Sequence, residues 1–268
     1  MKQAAILFLA LAGCSPAAHI APWQIVSHKP CVDAVLAEIA APGQIGAVSN
    51  WSHDPASASA PLGWARALPA LGPTAEEVIA ARPKLLLTGD LASGGTNAAI
   101  QKAGIKMRAF GVPATVAESI TQVIDIADSI DRNEAGKALA QRIEIAASPT
   151  PARGKPKSAI IWQSGGFVPG KGTLQDELLA RAGFTNASAA YGLKQWDILP
   201  VETLLRRPPD VIFMPDSATG EDGKALAARQ KLLRHLGKAT RIMPFPDKLL
   251  FCGGPTIIEA MQRMKAAA

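Results

Sequence analysis

Apolar positions change their spacing several times along this chain, and each change marks a predicted element. Ala4 to Ala12 is an unbroken apolar run behind Met1-Lys2-Gln3, too short to span a bilayer as a helix and suited to the core of a secretory signal. Gln24 to Ser27, Ile45 to Val48 and Lys106 to Phe110 read as strands, with helices over Cys31 to Ala40 and Thr96 to Ala103. In the second half Ser158 to Trp162 and Ile242 to Phe245 read as strands, Leu174 to Ala182 as a helix capped by Gly183, and Thr256 to about Lys265 as a last helix. Between the halves, Ile120, Val123, Ile124, Ala127 and Ile130 recur at helical spacing, as do Ala138, Leu139 and Ile143. Asp131-Arg132-Asn133 separates the two helices this predicts.

Two stretches repeat one pattern without a gap. Glu76 to Asp90 and Glu202 to Asp216 each open on an acidic residue at a short helix, break at Arg-Pro, run through an apolar segment (Leu85 to Leu87 before Thr88, and Val211 to Met214) and end on a turn carrying Asp. A helix feeding a continuously apolar strand is the pattern of α/β structure with a parallel sheet. Its appearance once in each half predicts two similar Rossmann-like lobes with mainly parallel sheets, a helical connector and a ligand cleft between them. The Pro-rich and basic stretch Ser148 to Lys157 marks the start of the second lobe.

The leader ends in Leu11-Ala12-Gly13-Cys14, a small pair followed by Cys that resembles a bacterial lipobox, with Cys14 lipidated; an ordinary signal with a chance Cys is the alternative. The expected organisation is a signal peptide over 1–13, a leash over 14–22, an N-terminal lobe over 23–114, a connector over 115–150 and a C-terminal lobe over 151–268. Export opens a disulfide-permissive compartment to Cys31 and Cys252, the one remaining pair, which are either bridged or two separate buried thiols.

Composition narrows the function. The chain has 268 residues, 48% hydrophobic and 19% charged, which excludes disordered and coiled-coil classes. Its net charge of +6 is spread without a basic stripe or interleaved aromatics, so no nucleic-acid partner is expected. Five of the 13 aromatic residues are Trp. Trp51, Trp162 and Trp196 fall at strand ends or in loops, where a cleft would use their ring faces, while Trp23 near the leash and Trp64 in a Pro-rich stretch are weaker candidates. Ser27, Gln163, Ser164 and Asp197 are candidate polar contacts. His28 lies three positions before Cys31, so an exported hydrolase using Cys31 is the alternative of a different class, although no third orienting group is evident. His19, His28, His53 and His235 are too dispersed for a closed metal site. His28, His53 or Tyr191 would be the axial ligand if the cleft held heme.

The order of these elements resembles the periplasmic binding proteins of iron-chelate and cobalamin ABC importers. The resemblance rests on Ile25-Val26-Ser27 with Pro30-Cys31-Val32-Asp33, Ile45 to Ser49, Asp54-Pro55, Gly72 with Arg82-Pro83, Pro169 to Leu174, and Glu202 with Arg207-Pro208-Pro209-Asp210. It implies lobes joined by one long helix, little hinge movement, a small-molecule ligand, no enzymatic activity and no cofactor. It also implies a monomer tethered by a lipid anchor and docked on a permease dimer with its ATPase through a Glu on each lobe, Glu76 and Glu202. The cobalamin-binding member is the nearest likeness, with Trp51 and Trp196 at its aromatic positions; a ferric siderophore or heme is the runner-up ligand. The chain departs from that member near Leu68 to Ala70, where a Trp is missing, and in the Cys31 and Cys252 pair.

Overall fold

The apolar segment of each repeat forms an inner strand of its own parallel sheet. The protein is described by a computed structural model covering residues 24–89, 94–151, 154–163, 165–215, 220–233, 236 and 240–268. Expectations for Cys14 with its leader and leash, His19, Trp23, Asp90, Ser164, Asp216 and His235 lie outside the described residues. In the first lobe β1 (Ile25–Ser27) leads to α1 (Pro30–Ile39), β2 (Ile45–Ser49), α2 (Leu62–Arg66), β3 (Ala70–Leu71), α3 (Ala75–Ala81), β4 (Leu85–Gly89), α4 (Gly94–Lys102) and β5 (Lys106–Phe110). Two helices follow, α5 (Val116–Ser129) and α6 (Asn133–Ala146). The second lobe contains β6 (Lys157–Ile161), β7 (Phe167–Pro169), α7 (Leu174–Arg181), β8 (Phe184–Asn186), β9 (Trp196–Ile198), α8 (Val201–Arg206), β10 (Val211–Met214), α9 (Gly220–Leu233), β11 (Arg241–Pro244) and α10 (Thr256–Ala267).

The first sheet has the order β3-β2-β1-β4-β5 and the second β11-β10-β6-β8, parallel throughout. Read from its other edge, the second sheet superposes in order on β2-β1-β4-β5, so the repeated strands β4 and β10 hold equivalent places. Each lobe reverses its strand order beside the first strand, and such switch points open crevices at the carboxyl ends of strands.

Side-chain alternation explains why these strands are continuously apolar. Ile25, Leu85 and Leu87 face one core cluster while Val26 and Leu86 face another. Ala159, Ile161, Val211 and Phe213 likewise separate from Ile160, Ile212 and Met214. The inner faces of both sheets belong to one cluster that also takes in Val123, Ile126, Leu139, Ile143, Ile257, Met261 and Met264 of α5, α6 and α10. A single apolar core therefore runs from lobe to lobe through the connecting helices.

The resemblance implies one long connecting helix; here the chain breaks at Ile130 to Arg132, as the polar triplet predicts, and α5 and α6 pack on each other. Thr74, Thr115 and Thr173 cap α3, α5 and α7 by accepting the N–H of Glu77, Glu118 and Asp176, satisfying donors that a helix start leaves unpaired. Among the described residues no helix is long and apolar enough to cross a membrane.

Candidate functional site

The cleft lies where both lobes present the carboxyl ends of their strands. Val112, Pro113 and Ala114 follow β5 of the first lobe; Gln163 follows β6, Gly172 to Gln175 open α7, Gln195 and Trp196 lead into β9, and Leu250 to Gly253 precede α10. Together they line a cavity of about 410 Å³, within the range of small-molecule sites. Among the described residues none of these lining side chains carries a formal charge.

The rim is aromatic. Trp196 is 46% exposed and Phe251 46% exposed, an arrangement that leaves apolar ring surface in water until something covers it. β7 and β9 form an antiparallel pair in which Trp196 sits opposite Pro169 and Ile198 opposite Phe167. Phe167 and Ile198 are exposed as well, so Trp196, Ile198 and Phe167 continue one apolar face outward from the cleft. Gly170 makes this pairing possible: a Cβ there would overlap the carbonyl oxygen of Lys194.

The wall formed by residues 248–254 is held from every side. Cys31 at the start of α1 is bonded to Cys252, with Cα atoms 5.1 Å apart. Ser59 Oγ donates to Lys248 O at 3.2 Å and lies 3.2 Å from Cys252 Sγ. Buried Gln175 Nε2 donates to Leu250 O at 2.7 Å, and Ser119 Oγ of α5 accepts the Gly254 N–H at 2.6 Å. Glu177 of α7 also accepts the N–H of Val116 at 2.8 Å, at the first residue of α5. First lobe, connector and second lobe thus meet at one segment.

Placement of the residues singled out from sequence is mixed. Trp196 and Gln163 line the cleft. Trp51 is 51% exposed on the Asn50–His53 turn after β2 but is not part of the lining. Its turn is fixed from below: Asp33 Oδ2 accepts the Ser49 N–H at 3.0 Å and the Ser52 hydroxyl at 2.6 Å. Asp33 is fully buried, and burial pushes its carboxyl up to about 7 against the opposing pull of the Ser27, Ser52 and Ser49 hydrogen bonds.

Three of the candidates lie outside the described lining. Trp162 is 1% exposed; it extends the alternation of Ile160 into the outer core of the second lobe and lies under the Arg229 guanidinium, 5.1 Å from the ring centroid. Ser27 is buried, its hydroxyl turned to Lys29 O at 3.3 Å and to Asp33. Asp197 does not line the cleft and accepts the N–H groups of Lys194 and Ile198 instead. Trp64 packs partly buried against the core.

The heme-ligand candidates are likewise engaged elsewhere. His28 Nδ1 lies 3.5 Å from Thr88 Oγ1, and burial lowers its pKa. His53 Nε2 sits 3.0 Å from Ala65 O and 3.1 Å from Leu68 O. Tyr191 donates to Arg207 O at 2.8 Å, and burial raises its phenol. None of the three lines the cleft. With Cys31 in a disulfide, the nucleophile imagined beside His28 is not formed. Phe251, Phe167, Ile198 and Val112 carry no periodic signal in the sequence that marks them as cleft or rim residues.

The family model of the periplasmic binding proteins matches residues 25–241. The chain belongs to this family. It is a family of binding proteins that serve ABC permeases from the periplasm. No curated protein matches this sequence. Among solved structures, this binding protein is similar to the periplasmic heme-binding protein RhuT from Roseiflexus sp. RS-1, with 21% identity and a TM-score of 0.70 over 91% of this chain and 98% of that one. A periplasmic heme-binding protein from Pseudomonas aeruginosa gives 20% identity and 0.70 over 92% of each chain. The periplasmic vitamin B12 binding protein BtuF of Vibrio cholerae gives 15% and 0.66 over 91% of this chain and 95% of that one. At these identities the likeness establishes the two-lobed fold and leaves the ligand to the cleft itself.

Proposed function

We propose that this binding protein captures a corrinoid and delivers it to an ABC permease dimer with its ATPase. The observation that carries the reading is the character of the cleft: Trp196 and Phe251 at the rim, Gln163, Gln175, Gln195 and Thr173 among the lining, and no charged side chain among the described lining residues. A corrinoid is a large flat ring whose edge bears amides, for which amide side chains and backbone groups are the matching partners. Heme bears two carboxylates, which a site selects with cations. A corrinoid also brings its own metal fully ligated, and the described lining offers no imidazole, phenol or free thiol.

On this reading 1–13 is the signal peptide, 14–22 the leash behind lipidated Cys14, 23–114 and 151–268 the lobes and 115–150 the connector. Glu76 and Glu202, both exposed in the first turns of α3 and α8, dock the two lobes on the permease. Residues 15–268, titrated separately with cyanocobalamin, hemin and a panel of ferric chelates under Trp fluorescence, test the assignment. Tightest binding of cyanocobalamin is expected. Preference for hemin or a ferric chelate overturns the corrinoid, and failure of all three classes overturns the receptor.

A further inference from the structure

Arg229 reaches from α9 to the segment that joins β6 to β7. Its guanidinium lies over the ring of buried Trp162, and its Nη1 donates to Gln163 O at 3.0 Å. The same carbonyl accepts the Gly166 N–H at 2.9 Å, while Gln163 N–H donates to Phe167 O at 3.0 Å and Leu199 N–H to Gly166 O at 3.1 Å. Gly166 has φ +85°, and a Cβ built on it would come within 3.2 Å of Arg229 Nη2. The guanidinium therefore packs on the bare face of the glycine that closes the turn. Gln163 enters the cleft from one end of this turn, and Phe167 enters the apolar face from the other.

We infer that Arg229 is a positioning residue: seated on Trp162, it ties Gln163 to Gly166 and Phe167 in the arrangement that presents Gln163 to the ligand. An arginine suits the place because its planar group stacks on an aromatic ring and donates along its edge at once, which an ammonium cannot do. Trp162 thereby acts on the cleft through another residue, as the seat of the clamp. The inference rests on the proposed ligand-binding role, and its test has one arm that does not.

In residues 15–268, Arg229→Met keeps side-chain length and removes the charge and donors. Amide hydrogen exchange across Gln163 to Phe167 is expected to quicken at least tenfold, with exchange in α5 and α10 unchanged, and cyanocobalamin affinity to fall about tenfold. Arg229→Lys should fall between Met and wild type in both. Should Arg229→Met fail to fold, Gly166→Ala disturbs the turn from its other side with Arg229 intact and should reproduce both effects. Unchanged exchange overturns the clamp. Faster exchange with unchanged affinity overturns its role in positioning. If wild type binds none of the probes, the ligand reading fails while the exchange arm still decides whether Arg229 holds the turn.

Discussion

Cys252 forms part of the cleft wall and is bonded to Cys31, at the start of the first helix of the opposite lobe. The bridge closes a loop of 221 positions. In the chain-entropy description a loop of that length restrains the unfolded ensemble by about 5 kcal/mol. Urea unfolding of residues 15–268 with and without dithiothreitol should show a loss approaching that size. Because one core cluster spans both sheets, the loss should appear as a shift of a single transition rather than as separate unfolding of a lobe.

Trp196 is the exposed ring of the cleft rim. Removing a half-exposed aromatic that becomes covered on binding costs about 10- to 100-fold in affinity. Trp196→Ala should weaken cyanocobalamin by that factor in a fluorescence or calorimetric titration, whereas Trp51→Ala, outside the lining, should change it by less than about threefold.

Asp33 gives stability a pH dependence opposite to that of a salt-bridged carboxylate. Its folded pKa, about 7, lies above the ordinary value of 3.8, so the folded state holds the proton more tightly. Its contribution is complete below pH 3.8, shrinks as pH rises through the window between the two values and is lost above about 7. Between pH 5 and 8 the wild type should lose on the order of 2 to 3 kcal/mol from this group. Asp33→Asn keeps an oxygen acceptor for Ser49 N–H and the Ser52 hydroxyl and should abolish that slope in chemical denaturation at the two pH values.

Legibility followed burial. The apolar runs Leu85 to Leu87 in β4 and Val211 to Met214 in β10 are buried on both faces, so the sequence displays them whatever their register, and the Arg-Pro breaks mark the ends of the helices before them. β7 and β9 have three residues each and pair across 27 to 31 positions, which leaves no periodicity to read; Trp196 consequently looks like a loop residue. Trp162 misleads for a different reason. A Trp at the end of a strand belongs to cleft or core according to the face it continues, and the Ile160-to-Trp162 alternation leads into the outer core. A separation of 221 positions gives the sequence no sign of the Cys31 to Cys252 pairing; the fold brings their Cα atoms to 5.1 Å.

Glu76 and Glu202 stand exposed on equivalent helices of the two lobes. If they are the docking pins, Glu76→Lys with Glu202→Lys should leave cyanocobalamin affinity within about twofold of wild type and abolish association with the permease in proteoliposomes. Loss of ligand affinity in the double variant would contradict that division of labour.

The uncharged lining carries one last consequence. Long-range attraction contributes little where no described lining side chain carries a formal charge, so capture should be nearly flat from dilute buffer to half-molar salt. If Glu76 and Glu202 are the docking pins, delivery should weaken steadily over the same series. Ionic strength alone would then separate loading of the receptor from its hand-over, in one unmutated preparation.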